Sequence, residues 1–274
     1  MEAERCQLTI DGQPHAFALE GEFFWGKDEQ LFSEASSPIA GTGWQNQGYT
    51  CFPLMQGDEY ARLLGSIRRI LSRIGAGLGV VLPDDFRPEE YHRYFLTEEL
   101  HQQVIQQTRF LTFRDFDLDF REWCSRVATF VGHPLQLENP LLPEEIVILR
   151  ISRPNSLDIN PLHRDGYLDI WAGVLNLWIP IAGCDAHSSL PVIPGSHLWR
   201  ENTIRRTAAK GARINGLTYH VPGIVGAASG LHLIRPDPAY GEALLFTPFL
   251  IHGAAINENP DTTRLSLELR FCRS

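Results

Sequence analysis

The hydrophobic period of the chain changes near residue 140, and that change restricts it to few architectures. Before it, Leu63, Leu64, Ile67, Ile70, Leu71 and Ile74 recur at helical spacing between Tyr60 and Ile74, and Gly75 and Gly77 supply a stop. Thr97 can cap a second helix whose first turn carries Glu98 and Glu99. A third helix runs from about Asp117 to Val131, closed by Gly132 and Pro134. Residues 1–56 read as irregular, with short strands such as Cys6–Ile10. After residue 140 come short runs of branched and aromatic residues bounded by Gly, Pro, Asn and Asp: Ile146–Ile151, Val174–Ile181, Ala243–Ile251 and Arg264–Phe271. Helices first and strands later predict an α+β fold, a β-sandwich or barrel braced by N-terminal helices. The expectation is one domain over residues 1–274, with 1–140 as mainly helical support plus an irregular N-terminus and 141–274 as the barrel core. Between about Arg200 and Tyr240 lies a long, Gly-rich, weakly patterned stretch of the kind that forms lids and binding loops.

Charge narrows the function classes. The 274 residues carry a formal net charge of -9, which disfavours nucleic acid as a partner, since phosphate contacts need a basic face. The cations are almost all arginine, Lys27 and Lys210 being the only lysines. Arg200, Arg205, Arg206, Lys210 and Arg213 form a local basic run. Such a run could attract an anionic small-molecule substrate; a solvated surface face is the blander reading and is preferred. The five cysteines are widely spaced and form no CxxC pair, so neither a disulfide framework nor a cysteine zinc site is expected. A reducing cytoplasm is the expected compartment. The N-terminal residues have no apolar run, and no stretch approaches a membrane span. Oligomeric state is not legible.

The sharpest chemical signal is Pro161-Leu162-His163-Arg164-Asp165-Gly166. On extended backbone, residues two apart point the same way, so His163 and Asp165 would offer an imidazole and a carboxylate to one point. His252, at the end of the apolar run Ala243–Ile251, is the candidate third ligand. Two histidines and a carboxylate make a facial triad that leaves three positions open on an octahedral metal, the pattern of iron(II) oxygenases. A lone HxD also arises by chance. Twelve residues after His252, Arg264 and Ser266 share one strand face, and a guanidinium beside a hydroxyl suits one end of a dicarboxylate. The bland reading of Arg264, and more so of Arg270 near the chain end, is a surface ion pair. Asn176 is a polar residue inside an apolar strand. It either hydrogen-bonds a co-substrate or makes a structural bond to the backbone. Tyr167 and Trp171 either line the substrate side or are plain core. Ser196 and His197 are expected to hold a turn rather than to touch a metal. The direction of Arg150 and Arg153 is not fixed, because Ile146–Ile151 is apolar on both faces. No GxSxG elbow, GxxxxGK[ST] loop or HExxH helix is present.

Three separated segments resemble the phytanoyl-CoA dioxygenase family, in that family's order. These are His163-Arg164-Asp165; Leu190-Pro191-Val192-Ile193-Pro194-Gly195-Ser196-His197; and Gly241–Phe246 followed by Ile251-His252-Gly253-Ala254, Asn257, Arg264-Leu265-Ser266 and Arg270-Phe271. The resemblance covers about residues 145–272. It implies a double-stranded β-helix (jelly-roll) barrel with Fe(II) at its mouth, held by His163, Asp165 and His252. It further implies 2-oxoglutarate as co-substrate with its distal carboxylate on Arg264, and O2 as oxidant. Similar halogenases have Gly or Ala at the carboxylate position, so Asp165 favours hydroxylation or another oxidation. Desaturation, cyclisation or epimerisation on the same site, and a non-catalytic ligand- or metal-binding barrel, are the competing readings.

Overall fold

A computed structural model describes residues 2–137, 146–156, 160–167, 171–214 and 217–274. The boundary drawn at residues 140 and 141 lies outside the described residues. Three α-helices precede the main strands: α1 (Glu59–Gly77), α2 (Glu98–Thr108) and α3 (Phe120–Val131). The early strands are β1 (Glu2–Ile10), β2 (Gln13–Gly21), β3 (Phe24–Trp25), β4 (Tyr49–Pro53), β5 (Leu111–Thr112) and β6 (Leu135–Gln136). The later ones are β7 (Ile146–Ser152), β8 (Val174–Ala182), β9 (Ile204–Arg206), β10 (Ala212–Ile214), β11 (Leu217–Tyr219), β12 (Ile224–Ala227), β13 (His232–Leu233), β14 (Glu242–Phe246) and β15 (Arg264–Arg273). The helix signals act as their chemistry requires. Thr97 Oγ1 accepts the Leu100 amide at 3.2 Å, and Gly132 closes α3 with a left-handed φ of 74°. Helix α3 starts later than its apolar pattern suggests, because Asp119 caps it by accepting the Arg121 amide at 2.9 Å.

The principal sheet is antiparallel, in the order β4-β14-β8-β15-β7-β5, with β6 also paired to β15. Its two faces differ by residue parity. Val147, Leu149, Ile151, Leu175, Leu177, Ile179, Leu265, Leu267, Leu269 and Phe271 join α1 and α3 in one apolar core. The alternate residues, Arg150, Asn176, Trp178, Arg264, Glu268 and Arg270 among them, line an interior cavity.

The N-terminus is more regular than its composition predicts. Strands β1 and β2 form a hairpin nine residues long on each side. Its two-residue turn is Asp11-Gly12, with φ of 50° and 80°, the positive pair that matches strand twist. Cys6, Leu8, Ile10, Phe17 and Leu19 bury one face of that hairpin against Leu162, Ile193 and Ile251. The stretch from Arg200 to Tyr240, expected as a long loop, folds into β9–β13 in the two smaller sheets, with β10 and β13 flanking the hairpin. Between those sheets and the principal one run single bridges, His163 to His252, Val192 to His252 and Val192 to Ile234. They close the opposite wall of a double-stranded β-helix.

Candidate active site

His163 and His252 are tied to each other through their backbones. The His163 amide donates to the His252 carbonyl at 3.0 Å and the His252 amide to the His163 carbonyl at 3.1 Å. Each ring then places Nδ1 on a backbone carbonyl, His163 on Pro161 at 2.8 Å and His252 on Leu250 at 2.9 Å. A carbonyl only accepts, so Nδ1 carries the proton and the Nε2 lone pair is free. Both Nε2 atoms face Asp165, at 3.5 Å and 3.9 Å from its carboxylate oxygens. One ligand atom from each of the three buried residues lies within 4.8 Å of the others, a group able to hold a metal ion.

The delivery of two of these side chains differs from the sequence expectation. Asp165 opens a short 3-10 turn, Asp165–Tyr167, rather than continuing an extended segment. His252 does not end a strand, for β14 stops at Phe246. Pro248 has no amide to continue the ladder, and a turn closed by the Leu250 amide on the Thr247 carbonyl at 3.0 Å carries the chain to the bridge. Gly253, at φ 114°, is needed there: a Cβ would lie 2.5 Å from the Pro161 carbonyl and 3.1 Å from His163 Nδ1.

Burial by itself would raise the Asp165 carboxyl, but its neighbours His163, His252 and Arg270 hold it well below the usual carboxylate range. Burial, reinforced by His163, lowers His252 to about 4. Near neutral pH the pair is therefore a carboxylate and a neutral imidazole, the forms that bind metal. Asn176 Nδ2 donates to Asp165 Oδ2 at 2.7 Å. Its partner is thus a side chain of the triad and not the backbone.

The segment Pro194-Gly195-Ser196-His197 braces both ligand segments. Ser196 Oγ accepts the Ile251 amide at 2.8 Å, immediately before His252. The Ser196 carbonyl and the Glu201 carboxylate accept from Arg164, which is fully buried between the two ligands of the HxD segment. His197 is turned away, its Nε2 on the Gln45 carbonyl at 2.9 Å. Sequence inspection gave Arg164 no role. Its position inside the HxD segment was visible, but Glu201 as its partner was not.

The triad opens on a cavity of about 540 Å³ whose lining includes His101, Ile105, Leu217, Tyr219, Arg264 and Arg270. Arg264 is buried at the cavity wall. It donates to Ser266 Oγ at 3.3 Å, and its Nε has no protein partner. Arg150 and Glu268 form a two-pronged pair at 2.9 and 3.0 Å, and Arg153 meets Glu98 at 2.6 Å. Arg270, whose bland reading from sequence is a surface ion pair, lines the cavity with its guanidinium 4.6 Å from the Trp171 ring centroid. Neither Trp171 nor Tyr167 lines the cavity; Tyr167 sits beneath Arg206, 4.4 Å away. Three arginines of the basic run form ion pairs: Arg200 with Asp28, Arg205 with Glu4 and Arg206 with Glu201. None of these three arginines lines the cavity.

A jelly-roll barrel with a buried His-Asp-His group beside a buried arginine defines the class of 2-oxoglutarate-dependent non-haem iron oxygenases. The chain belongs to the phytanoyl-CoA dioxygenase (PhyH) family, whose sequence profile matches residues 44–265. No curated protein matches the chain by sequence. Among solved structures, AviO1 from Streptomyces viridochromogenes Tue57 superposes with a TM-score of 0.50 at 19% identity, covering 89% of this chain and 96% of that one. That likeness supports the fold. EctD from S. alaskensis, solved with 2-oxoglutarate and 5-hydroxyectoine, gives 0.48 at 15% identity over 92% of this chain and 84% of its own. The epimerase SnoN from nogalamycin biosynthesis, in complex with Fe3+, alpha ketoglutarate and nogalamycin RO, gives 0.48 at 14% over 84% and 80%. The donor set here fits iron, with two free imidazole lone pairs and one carboxylate. The unpartnered Arg264 Nε fits a dicarboxylate. Among the described residues, no helix is long and apolar enough to cross a membrane.

Proposed function

We propose that this protein hydroxylates an unactivated C–H bond of a small molecule, using Fe(II), 2-oxoglutarate and O2. The observation that carries the reading is the triad His163, Asp165 and His252 opening on the same cavity as Arg264. In this reading His163 and His252 bind the metal through Nε2 and Asp165 through its carboxylate. The backbone carbonyls on each Nδ1 and the Asn176 amide on Asp165 fix the direction of those donors before metal arrives. Arg264, steadied by Ser266, takes the distal carboxylate of 2-oxoglutarate. When bound, iron and 2-oxoglutarate supply with O2 the oxidant for the C–H bond, releasing succinate and CO2. The chain itself supplies position: Trp178, Leu190 and Phe246 shape an apolar wall, and α2 contributes His101 and Ile105 to the lining, with Arg109 just after it. The five thiols are free, which suits a reducing cytoplasm.

The test is succinate release from 2-oxoglutarate by the iron-loaded protein across a panel of small molecules, with mass spectrometry of the product. Hydroxylation adds one oxygen atom to the substrate that stimulates succinate release. A product lacking two hydrogens, or isomeric with the substrate, would replace hydroxylation by desaturation, cyclisation or epimerisation. Absence of 2-oxoglutarate consumption under all conditions contradicts the co-substrate assignment.

A further inference from the structure

We propose that Arg270 is a second carboxylate-binding residue of the site: it holds the metal-proximal carboxylate of the 2-oxo acid while Arg264 holds the distal one. The inference rests on the function proposed above and adds to it a role for a residue that neither the triad nor Arg264 requires.

Arg264, Ser266, Glu268 and Arg270 alternate along β15 and share its inward face. Six residue steps along the strand separate the two arginines by roughly 20 Å at the backbone, so they approach the cavity from different ends. Register shows which end is which. Arg270 lies opposite Asn176 of β8, the residue whose amide holds Asp165, whereas Arg264 lies opposite Ser152 of β7. Arg270 is therefore at the metal end.

Its guanidinium donates no hydrogen bond to the described residues. Arg150 is taken by both oxygens of Glu268, and Arg153 by Glu98. The ion-pair contact of Arg270 is Asp165 Oδ2 at 3.9 Å, too long for a hydrogen bond. That oxygen already accepts from Asn176. Arg270 Nε is buried without a partner, and the guanidinium rests on the Trp171 ring, which fixes its plane. A metal bound by Asp165 brings two positive charges close to this guanidinium, and an anion between them removes the repulsion. A 2-oxo acid that chelates through its keto oxygen and adjacent carboxylate brings such an anion to that place, and a planar guanidinium matches a carboxylate with two parallel hydrogen bonds.

The experiment is calorimetric titration of Mn(II)-loaded protein with 2-oxoglutarate and with 2-oxopentanoate, which lacks the distal carboxylate. Wild type is expected to prefer 2-oxoglutarate. Arg264→Met should abolish that preference. Arg270→Met should keep it while weakening both acids by a similar factor, between about tenfold and a hundredfold for a lost charge-assisted pair. Arg270→Lys, which retains a positive charge, should show the same parallel loss to a smaller degree, and it carries the test should the Met variant fail to fold by circular dichroism. Unchanged affinity for both acids in the Arg270 variants, as expected if Arg270 serves an anionic substrate instead, overturns the proposal. So does a loss confined to 2-oxoglutarate. Wild-type protein that binds neither acid overturns the co-substrate reading itself, so the two failures are distinguishable.

Discussion

The two faces of the principal sheet are built from the same strands yet solve opposite problems. On β15, Leu265, Leu267, Leu269 and Phe271 are buried among the residues that pack against α1 and α3. Their neighbours Arg264, Glu268 and Arg270 face the cavity with the triad. The outer face gains stability from area removed from water. The inner face places charged groups where water is scarce, which costs stability unless each finds a partner. The protein resolves this cost by pairing Arg150 with Glu268 and leaving Arg264 and Arg270 available. Alternation lets one strand serve both ends, because a change at one parity need not disturb the other.

The sharpest break between the faces should come from Asp165→Ala. Loss of one of three ligands should lower metal affinity by more than the roughly 10–100-fold expected of a supporting residue. Circular dichroism of the metal-free protein should stay native, as equilibrium metal titration alongside it would show. Leu267→Ala is the converse. It should cost about 2–5 kcal/mol in urea unfolding, with metal affinity of the folded protein unchanged.

Glu268→Ala sharpens the comparison, because it is an inner-face change that should be read out in stability. Arg150 loses its two-pronged partner, and a loss of about 1–3 kcal/mol is expected, moderated because the pair is partly solvated. The double change with Arg150→Met should recover part of it in the same unfolding assay. The smallest effect is a pH dependence in the bracing segment. Burial lowers His197 to about 4, below its unfolded value near 6.5. The folded state thus favours the neutral ring, so its contribution is complete above about pH 6.5 and falls as pH drops toward 4. Urea midpoints should report a stability lower at pH 5 than at pH 7 by on the order of 1–2 kcal/mol, and His197→Gln should flatten that difference.

Parity on β15 is legible in the sequence, because Arg264-Leu265-Ser266-Leu267-Glu268-Leu269-Arg270 alternates without interruption. The HxD segment and the bracing Pro-Gly-Ser-His are equally local, and so are recognisable as words. What sequence does not reveal is long-range register. Arg270 reads as a surface residue until β8 places Asn176, and with it Asp165, beside it. Arg150 has no direction until Glu268, 118 positions away, is seen to be its partner. The N-terminal hairpin is a different kind of miss. Asp11-Gly12 is a local turn signal, and Cys6, Leu8 and Ile10 alternate before it, but scattered glycine and proline further on dilute the pattern. The run Ala243–Ile251 overstates its strand because apolar burial continues through a turn, and Pro248 is the residue that marks the break.

The most direct measurement is the visible absorption of the anaerobic protein on addition of Fe(II) and then 2-oxoglutarate. A weak metal-to-ligand charge-transfer band is predicted for wild type, absent in His163→Ala and weakened or lost in Arg264→Ala. Folded protein that binds iron yet develops no band with 2-oxoglutarate would contradict the assignment of this cavity as an iron and 2-oxoglutarate site.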